Sequence, residues 1–292
     1  MTRTDLSIAL IARSAAHEPM LAAGARAVES ATHDTPFGRS NPIHIMEAEG
    51  LRFGLLSRHG EEGYQTAAPW VNDRANLYAL KDLGVEKIVS WSSPGSLVST
   101  VGAGDLVIPH DVLDETGSAV RTFFEGMGIG VIRMSDPFCP ALRAAFLSSL
   151  KSAKTPVQDS GVYAGTHGPR LETAAEVRKL HTLGGTVVGM TVVPEVFLAR
   201  ELEMCYASVC LVVNQAEGIR PAPYEPGILF EGLASDEDLG KVRAVEELFA
   251  HHALSLLKAA AEKATAECHC RRALERYRLR GDIGDDWRRW WD

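Results

Sequence analysis

The chain has no run of 18 uninterrupted apolar residues, the length a membrane-spanning helix needs, so no membrane partner is expected. It has no internal repeat and no low-complexity block; its 26 glycines and 14 prolines are scattered through it, which sets aside solenoids, collagen-like segments and long flexible linkers. Positive charge is scarce. Thirty Lys and Arg against 38 Asp and Glu leave a net charge of −8, and a nucleic-acid partner, which calls for a basic stripe, is not expected. A local anion site built from a few Arg, His and backbone N–H groups remains compatible with that balance. The five cysteines, an odd number, do not read as a disulfide framework, and a reducing cytoplasm is the expected compartment. The triplet Cys268-His-Cys270 invites a metal, but near neighbours splay apart and four-ligand structural sites use wider spacings. No metal and no organic cofactor are expected. Nor is there an evident Ser-His-Asp or Cys-His pattern, so the chemistry is not expected to pass through a covalent enzyme intermediate.

What is present is enough apolar residue, 46% of 292, to bury a sizeable core. Strand-like runs recur at residues 6–12, 52–57, 87–91, 106–108, 130–134, 186–190 and 208–213. Helical patterns lie between them at 72–83, 141–151, 171–183 and 192–203, and one long pattern runs from about 236 to 266. The first run, preceded by Asp5 and followed by Arg13 and His17, reads as a buried strand rather than a signal peptide. Near-continuous apolar strands alternating with helices predict an α/β domain with a largely buried sheet. Ligands in such sheets collect beyond the carboxyl ends of the strands.

Two segments stand out, Gly168-Pro-Arg-Leu-Glu-Thr-Ala-Ala-Glu176 and Gly189-Met-Thr-Val-Val-Pro-Glu195. Each is a loop running into a predicted helix, and helix entrances offer unpaired N–H groups to anions and polar ligands. Further motifs follow the same order along the chain: Thr35-Pro-Phe-Gly38, Arg58-His-Gly60, Val71-Asn-Asp-Arg-Ala-Asn76, Pro94-Gly-Ser-Leu97, Gly104-Asp-Leu-Val-Ile-Pro109 and Asp136-Pro-Phe-Cys139. After them come Leu198-Ala-Arg-Glu201, Cys205-Tyr-Ala-Ser208 and Val212-Val-Asn214. Together these resemble the trimeric purine nucleoside phosphorylase and methylthioadenosine phosphorylase family, collinearly over residues 5–260.

The resemblance implies a single-domain, three-layer α/β fold with a central mixed, partly barrel-like sheet flanked by helices, spanning residues 1–266. It implies phosphate-dependent cleavage of the N-glycosidic bond of a purine nucleoside by a pentosyltransferase, with inorganic phosphate as co-substrate. The assembly it implies is a homotrimer or dimer of trimers. Matching positions put Ser14, Arg58, His59, Ser92, Ser93 and Thr191 at phosphate and Met190 under the ribose. Leu171, Glu172 and Asn214 fall at the base, with Asn214, Glu172 and His59 the catalytic candidates. A planar guanidinium such as Arg58 suits two phosphate oxygens. An Asn amide both donates and accepts, whereas an ionised Asp only accepts, so Glu172 with Asn214 resembles the 6-oxopurine branch, inosine or 5′-methylthioinosine. The alternatives are methylthioadenosine phosphorolysis and a lapsed nucleoside-binding homologue.

There are departures from the pattern. Relatives carry Gly-Gly-Ser/Thr-Gly in the first loop where this chain has Ala12-Arg13-Ser14-Ala15, so Arg13 either adds charge to the phosphate site or blocks it. Pro94 removes one possible N–H donor. Tyr64 lies where relatives often carry a further His, and Leu171 where they commonly have a stacking Phe. Val242, Val245 and Leu248 offer an apolar pocket for a methylthio group, and His251 and His252 a polar alternative. Residues 267–292 lie outside the resemblance and form a basic extension with Trp287, Trp290 and Trp291, expected to be a short helix and a docked tail.

Overall fold

The computed structural model describes residues 6–117, 122–151, 155–263 and 268–291. In chain order the elements begin β1 (Ile8–Ala12), α1 (His17–Ala22), β2 (Arg26–Ala31), β3 (Asp34–Thr35), β4 (Gly38–Arg39), β5 (Ile43–Ala48) and β6 (Leu51–Ser57). Next are α2 (Asp73–Asp82), β7 (Lys87–Ser92), β8 (Gly95–Ser96), β9 (Leu106–Val107), β10 (Asp111–Glu115) and α3 (Pro140–Leu150). Then follow β11 (Val157–Gln158), β12 (Val162–Thr166), α4 (Ala174–Thr182), β13 (Val187–Gly189) and α5 (Val192–Glu201). The chain closes with β14 (Cys205–Leu211), β15 (Asn214–Gln215), α6 (Asp236–Glu247), α7 (Phe249–Ala261) and α8 (Glu275–Arg280).

Two mixed sheets result. The larger has the order β11-β9-β14-β7-β1-β6-β5-β2 and the smaller β10-β12-β13-β8-β15. They meet where β7 runs on into β8 and β14 into β15. In the larger sheet the central four strands, β14, β7, β1 and β6, are mutually parallel, with antiparallel partners outside them. Alternation along β1 shows why these strands are apolar throughout. Ile8, Leu10 and Ala12 join the core that includes residues of α3 and α7, while Ala9 and Ile11 join the one that includes residues of α2 and α5. With both faces covered, no position is left for a polar residue. Gly54 in β6 marks one tight approach, since a Cβ there would lie 3.1 Å from Leu6.

Because the four central strands run the same way, their carboxyl ends lie along one edge. The register sets Ala12 beside Ser57, and Ser92 beside Cys210. The loops carrying Ser14, Arg58 and Ser93 leave from these ends, and Asn214 opens β15 three residues past the end of β14.

Several features differ from the sequence expectation, among them the strands β10 and β12, which fall in none of the strand-like runs. Residues 130–134 are not a strand: Gly130 has φ +98°, and the Val131 N–H and C=O are satisfied by the Tyr277 hydroxyl rather than by a neighbouring strand. The long C-terminal helix is two helices that break at Leu248. Its expected end at 266, with the proposed boundary to the extension, lies outside the described residues. The hairpin-like pairing of β2, β5 and β6 goes beyond the strand pattern, because β2 has an exposed, polar face. No helix among the described residues is long and apolar enough to cross a membrane.

The extension folds back on its own chain. Leu274, Tyr277, Ile283 and Trp290 are buried with Phe124, and Trp291 packs against Phe37, Tyr78 and Phe123 with ring centroids 5.4 to 5.7 Å apart.

Candidate active site

The first loop is joined to the turn after β6. Arg58 N–H donates to the Ala12 carbonyl at 2.9 Å, Ala15 N–H to the Gly60 carbonyl at 3.1 Å, and Ala16 N–H to Ser57 Oγ at 3.4 Å. Ala15 takes φ +54°, the left-handed conformation a glycine adopts without cost. The loop therefore holds a glycine-like backbone turn without the glycine. Arg13 turns away: its guanidinium pairs with Glu246 of α6 at 2.5 Å. It neither adds charge to the turn nor fills it, and the neighbouring Ser14 is half-buried.

Arg58 is 2% exposed and its fork is already taken. Nε and Nη2 donate to the two carboxylate oxygens of Glu195, the latter at 3.0 Å; Nη2 also donates to Ser90 Oγ at 3.1 Å and Nη1 to the Trp91 carbonyl at 3.2 Å. Four of its five N–H donors are thus committed to the protein. The bidentate geometry that the sequence assigns to phosphate closes on Glu195 instead, because Glu195, itself 2% exposed, enters from α5 into the same buried space. Burial lowers the guanidinium's pKa, but the charge and hydrogen bonds of Glu195 outweigh it and the net shift is upward. Tyr206 donates its hydroxyl to Glu195 at 2.7 Å.

His59 is also 2% exposed. Its Nδ1 lies 2.9 Å from the Thr66 carbonyl, which only accepts, so Nδ1 carries the proton and Nε2 is the acceptor. Burial, and then the Arg58 charge, push its pKa down to about 4, so the ring is neutral at neutral pH. Tyr64 stacks on it with centroids 4.5 Å apart.

Ser92, at the end of β7, meets Thr191 hydroxyl to hydroxyl at 3.0 Å. Tyr163 lies behind them, its hydroxyl accepting from Thr191 N–H at 3.3 Å and standing 3.5 Å from Ser92 Oγ. Thr191 occupies the cap position of α5 but makes no capping bond, and Val193 interrupts the helical path with φ −101° and ψ 126°. Ser93 is exposed. Pro94 lacks the N–H, yet its carbonyl accepts from Val213 N–H at 3.1 Å and so ties the ends of β7 and β14.

The entrance of α4 is different from what the sequence suggests. Thr173 Oγ1 accepts from Glu176 N–H at 3.3 Å, and the Glu176 carboxylate accepts from Thr173 N–H at 2.8 Å, a complete capping box. Arg170 pairs with Glu176 as well, and its hydrogen bond leads the causes that lower this carboxyl to about 2. An entrance holding its own carboxylate has no room or charge for an external anion.

Gly168, with φ +71°, faces Met190: a Cβ there would fall 2.4 Å from the sulfur. Only glycine lets the 168–172 loop lie on the thioether. Glu172 accepts from Thr166 Oγ1 at 2.5 Å. Thr166, His167 and Met190 line a cleft of about 310 Å³ whose far wall is residues 68–74, including Asp73. Leu171 is half-buried and is not part of this wall. Asn214 is buried, sits over Gly95 with its amide 3.4 Å from a Cβ there, and donates from Nδ2 to the Gln215 carbonyl at 2.7 Å. One N–H and Oδ1 of that amide remain. A larger depression, about 600 Å³, is lined by residues of the 144–159 stretch and contains none of these side chains.

The structure therefore brings the loop that carries Ser14 to the turn of Arg58 and His59, ties Arg58 to the Trp91 carbonyl beside Ser92, pairs Ser92 with Thr191, and places Met190, Thr166 and Glu172 beside a cleft. Two residues went unassigned in the sequence. Glu195 was within the Gly-Met-Thr-Val-Val-Pro-Glu motif, and its apolar neighbours signal a buried acid that needs a cation. Asp73 faces the cleft with its pKa raised, chiefly by burial and then by repulsion from Glu195. The methylthio pocket is not formed as expected: Val242 and Val245 are in the core, while Leu248 is 45% exposed. His252 is buried against Trp91 and His251 is exposed.

The chain is similar to known proteins over most of its length. A "probable S-methyl-5′-thioinosine phosphorylase" of Methanothermobacter thermautotrophicus is 46% identical over 197 residues, 68% of each chain. A "probable 6-oxopurine nucleoside phosphorylase" of Dictyoglomus turgidum is 36% identical over 280 residues, 94% of this chain and 99% of the relative. Among solved structures, a methylthioadenosine phosphorylase from an antarctic soil metagenomic library is 29% identical with a TM-score of 0.76, covering 94% of this chain and 92% of that one. Methylthioadenosine phosphorylase from Schistosoma mansoni in complex with adenine reaches a TM-score of 0.78 at 25% identity, covering 94% and 96%. With the family model matched over residues 7–261, the chain belongs to the phosphorylase superfamily.

Proposed function

We propose that this protein is a pentosyltransferase that cleaves the N-glycosidic bond of a 6-oxopurine nucleoside, of the inosine or 5′-methylthioinosine type, with inorganic phosphate as the acceptor. The observation that carries the reading is the set of contacts at the strand ends: the Ala15–Gly60 turn, Arg58 on the Trp91 carbonyl, and the paired hydroxyls of Ser92 and Thr191, with His59 next to Arg58 in the chain. Backbone N–H groups of the first loop, the Ser14, Ser92 and Thr191 hydroxyls and the remaining Nη1 proton of Arg58 would hold a phosphate. Arg58 then acts less as a fork than as a buried positive charge fixed by Glu195. The neutral His59, with Nε2 as acceptor, suits a protonated phosphate oxygen.

Met190 packs under the pentose, and Glu172 and Asn214 hold the base. As the glycosidic bond stretches, positive charge grows on the sugar, and the fixed phosphate stabilises it before attacking the anomeric carbon; glycosidases use carboxylates for the same purpose. The leaving base gathers negative charge, which the free Asn214 N–H relieves. No group of the protein forms a bond to the sugar. We place the assembly as a homotrimer, on the family resemblance.

The test is release of free base from inosine, methylthioinosine and methylthioadenosine, with and without phosphate, for the protein and for Asn214→Asp. Phosphate-dependent cleavage of the 6-oxo substrates, moved toward the 6-amino one by the variant, supports the proposal. Preference of the unaltered protein for methylthioadenosine would overturn the branch, and no cleavage by a folded protein would overturn the activity.

A further inference from the structure

We propose that Cys139, Cys205, Cys268 and Cys270 form a structural tetrathiolate site for one Zn²⁺ ion, which fastens the C-terminal extension to the catalytic domain. Their four sulfurs all lie within 4.8 Å of one another, and the Cys205 and Cys268 sulfurs are 3.4 Å apart. A tetrahedral ion with Zn–S bonds of about 2.3 Å sets its sulfurs roughly 3.8 Å apart, whereas a disulfide requires about 2.05 Å. The arrangement is that of ligands around a common centre, not of two bonded pairs.

The ligands come from three places in the chain, which is why the spacing of Cys268-His-Cys270 alone argues against a four-ligand site. Cys139 stands at the cap position of α3, makes no capping bond, and has its N–H on the Tyr206 carbonyl at 2.8 Å. Cys205 opens β14, its N–H on the Glu86 carbonyl at 2.8 Å. The triplet then brings two more sulfurs across from the extension, and His269 is not in the group. Lys87 fixes the end of α7, its ammonium donating to the Ala260 and Ala261 carbonyls, each 3.1 Å away.

The surroundings suit an anionic core. Four thiolates around a divalent ion leave a net charge of −2, and the buried Arg200 donates from Nη1 to Cys270 Sγ at 3.0 Å. Such outer donors orient and stabilise metal ligands. Cys139, Cys205 and Cys270 are each no more than 2% exposed. The fifth cysteine, Cys210, is buried elsewhere near Ser208. Assembly needs no oxidant: each thiol loses a proton to solvent as its Zn–S bond forms. Tetrahedral all-sulfur donors select zinc or iron among the common metals, and zinc is the one without redox chemistry. The extension has a use for such a clamp. Its own core amounts to a few side chains, and segments that small rarely hold a fold without a staple.

The experiment is metal analysis of the full chain purified without added chelator, together with denatured mass measurement and replacement of the ion by Co²⁺. The expected result is about one zinc per chain, no mass loss from disulfides, and a thiolate-to-cobalt charge-transfer band. Cys268→Ser should lose the metal and make the segment after residue 263 susceptible to limited proteolysis, and Cys210→Ser should keep both metal and resistance. Should Cys139→Ser or Cys205→Ser fail to fold, Cys268→Ser still reports, because its side chain belongs to the extension. Two disulfides, four alkylatable thiols with no metal after zinc has been supplied, or iron in place of zinc would each overturn the proposal. None of these readouts depends on phosphorolysis.

Discussion

The entrances of α4 and α5 read alike in the sequence, each a Gly-containing loop with a Thr at the turn, yet they are built for opposite purposes. At α4, Thr173 and Glu176 satisfy each other and Arg170 adds a second partner, so the entrance is closed by its own carboxylate. At α5, Thr191 leaves the cap unmade and turns its hydroxyl to Ser92, and the acid of that helix, Glu195, faces inward to Arg58. The difference is the position of the acid. Three residues after the threonine it returns to the cap; four residues after, it faces the interior. A helix N-terminus is an anion site only where the chain has not already supplied the anion.

Glu195 gives the largest expected effect. In Glu195→Gln the buried Arg58 charge loses its partner, and unfolding stability should fall by about 3–5 kcal/mol, read from urea midpoints. A loss below about 1 kcal/mol would mean that Arg58 is solvated and open. Next, Thr191→Val should lower kcat/KM for phosphate on the order of 100-fold, comparable to removing one positioned donor in other active sites. Thr173→Ala should instead cost about 1 kcal/mol of stability and leave the KM for phosphate in place. Equal effects of the two on phosphate would erase the distinction between the entrances.

Acid titration sharpens the same contrast. His59 has a folded pKa pushed down to about 4 from its ordinary 6.5. The unfolded chain therefore takes up this proton first, and stability falls as pH drops from about 6.5 toward 4. Glu176 is lowered to about 2 from 4.5, so its contribution is complete above 4.5 and is lost as pH falls toward 2. His59→Asn should therefore lessen the loss of stability between about pH 6.5 and 4, and Glu176→Gln the loss between about 4.5 and 2, both read from urea midpoints against pH. The smallest effect is Arg13→Ala. Its exposed pair with Glu246 is worth less than about 1 kcal/mol, and phosphate KM should stay within about threefold; a larger change would put Arg13 in the phosphate site.

The central strands were legible because burial on both faces leaves an uninterrupted apolar signal; the helix expected over 72–83 is α2, which the structure shows capped by Asn72 accepting from Ala75 N–H at 3.1 Å. The β2 strand was not legible, since its exposed face lacks alternation, and residues 130–134 imitated a strand whose backbone partners turned out to be a tyrosine hydroxyl in the extension. The candidate site residues were found by pattern, but their partners were not: nothing local in Arg58-His-Gly60 indicates that an acid 137 residues away occupies the guanidinium.

The sequence by itself determined the α/β class, the phosphorylase relationship and which polar residues stand at the strand ends, because those follow from periodicity and from short collinear motifs. Only the tertiary structure decided that Arg58 is closed on Glu195, that Arg13 leaves the loop for Glu246, and that Cys139 and Cys205 meet the Cys268-His-Cys270 triplet. Each of these is a pairing between distant segments, and chain proximity carries no record of a contact that folding alone creates.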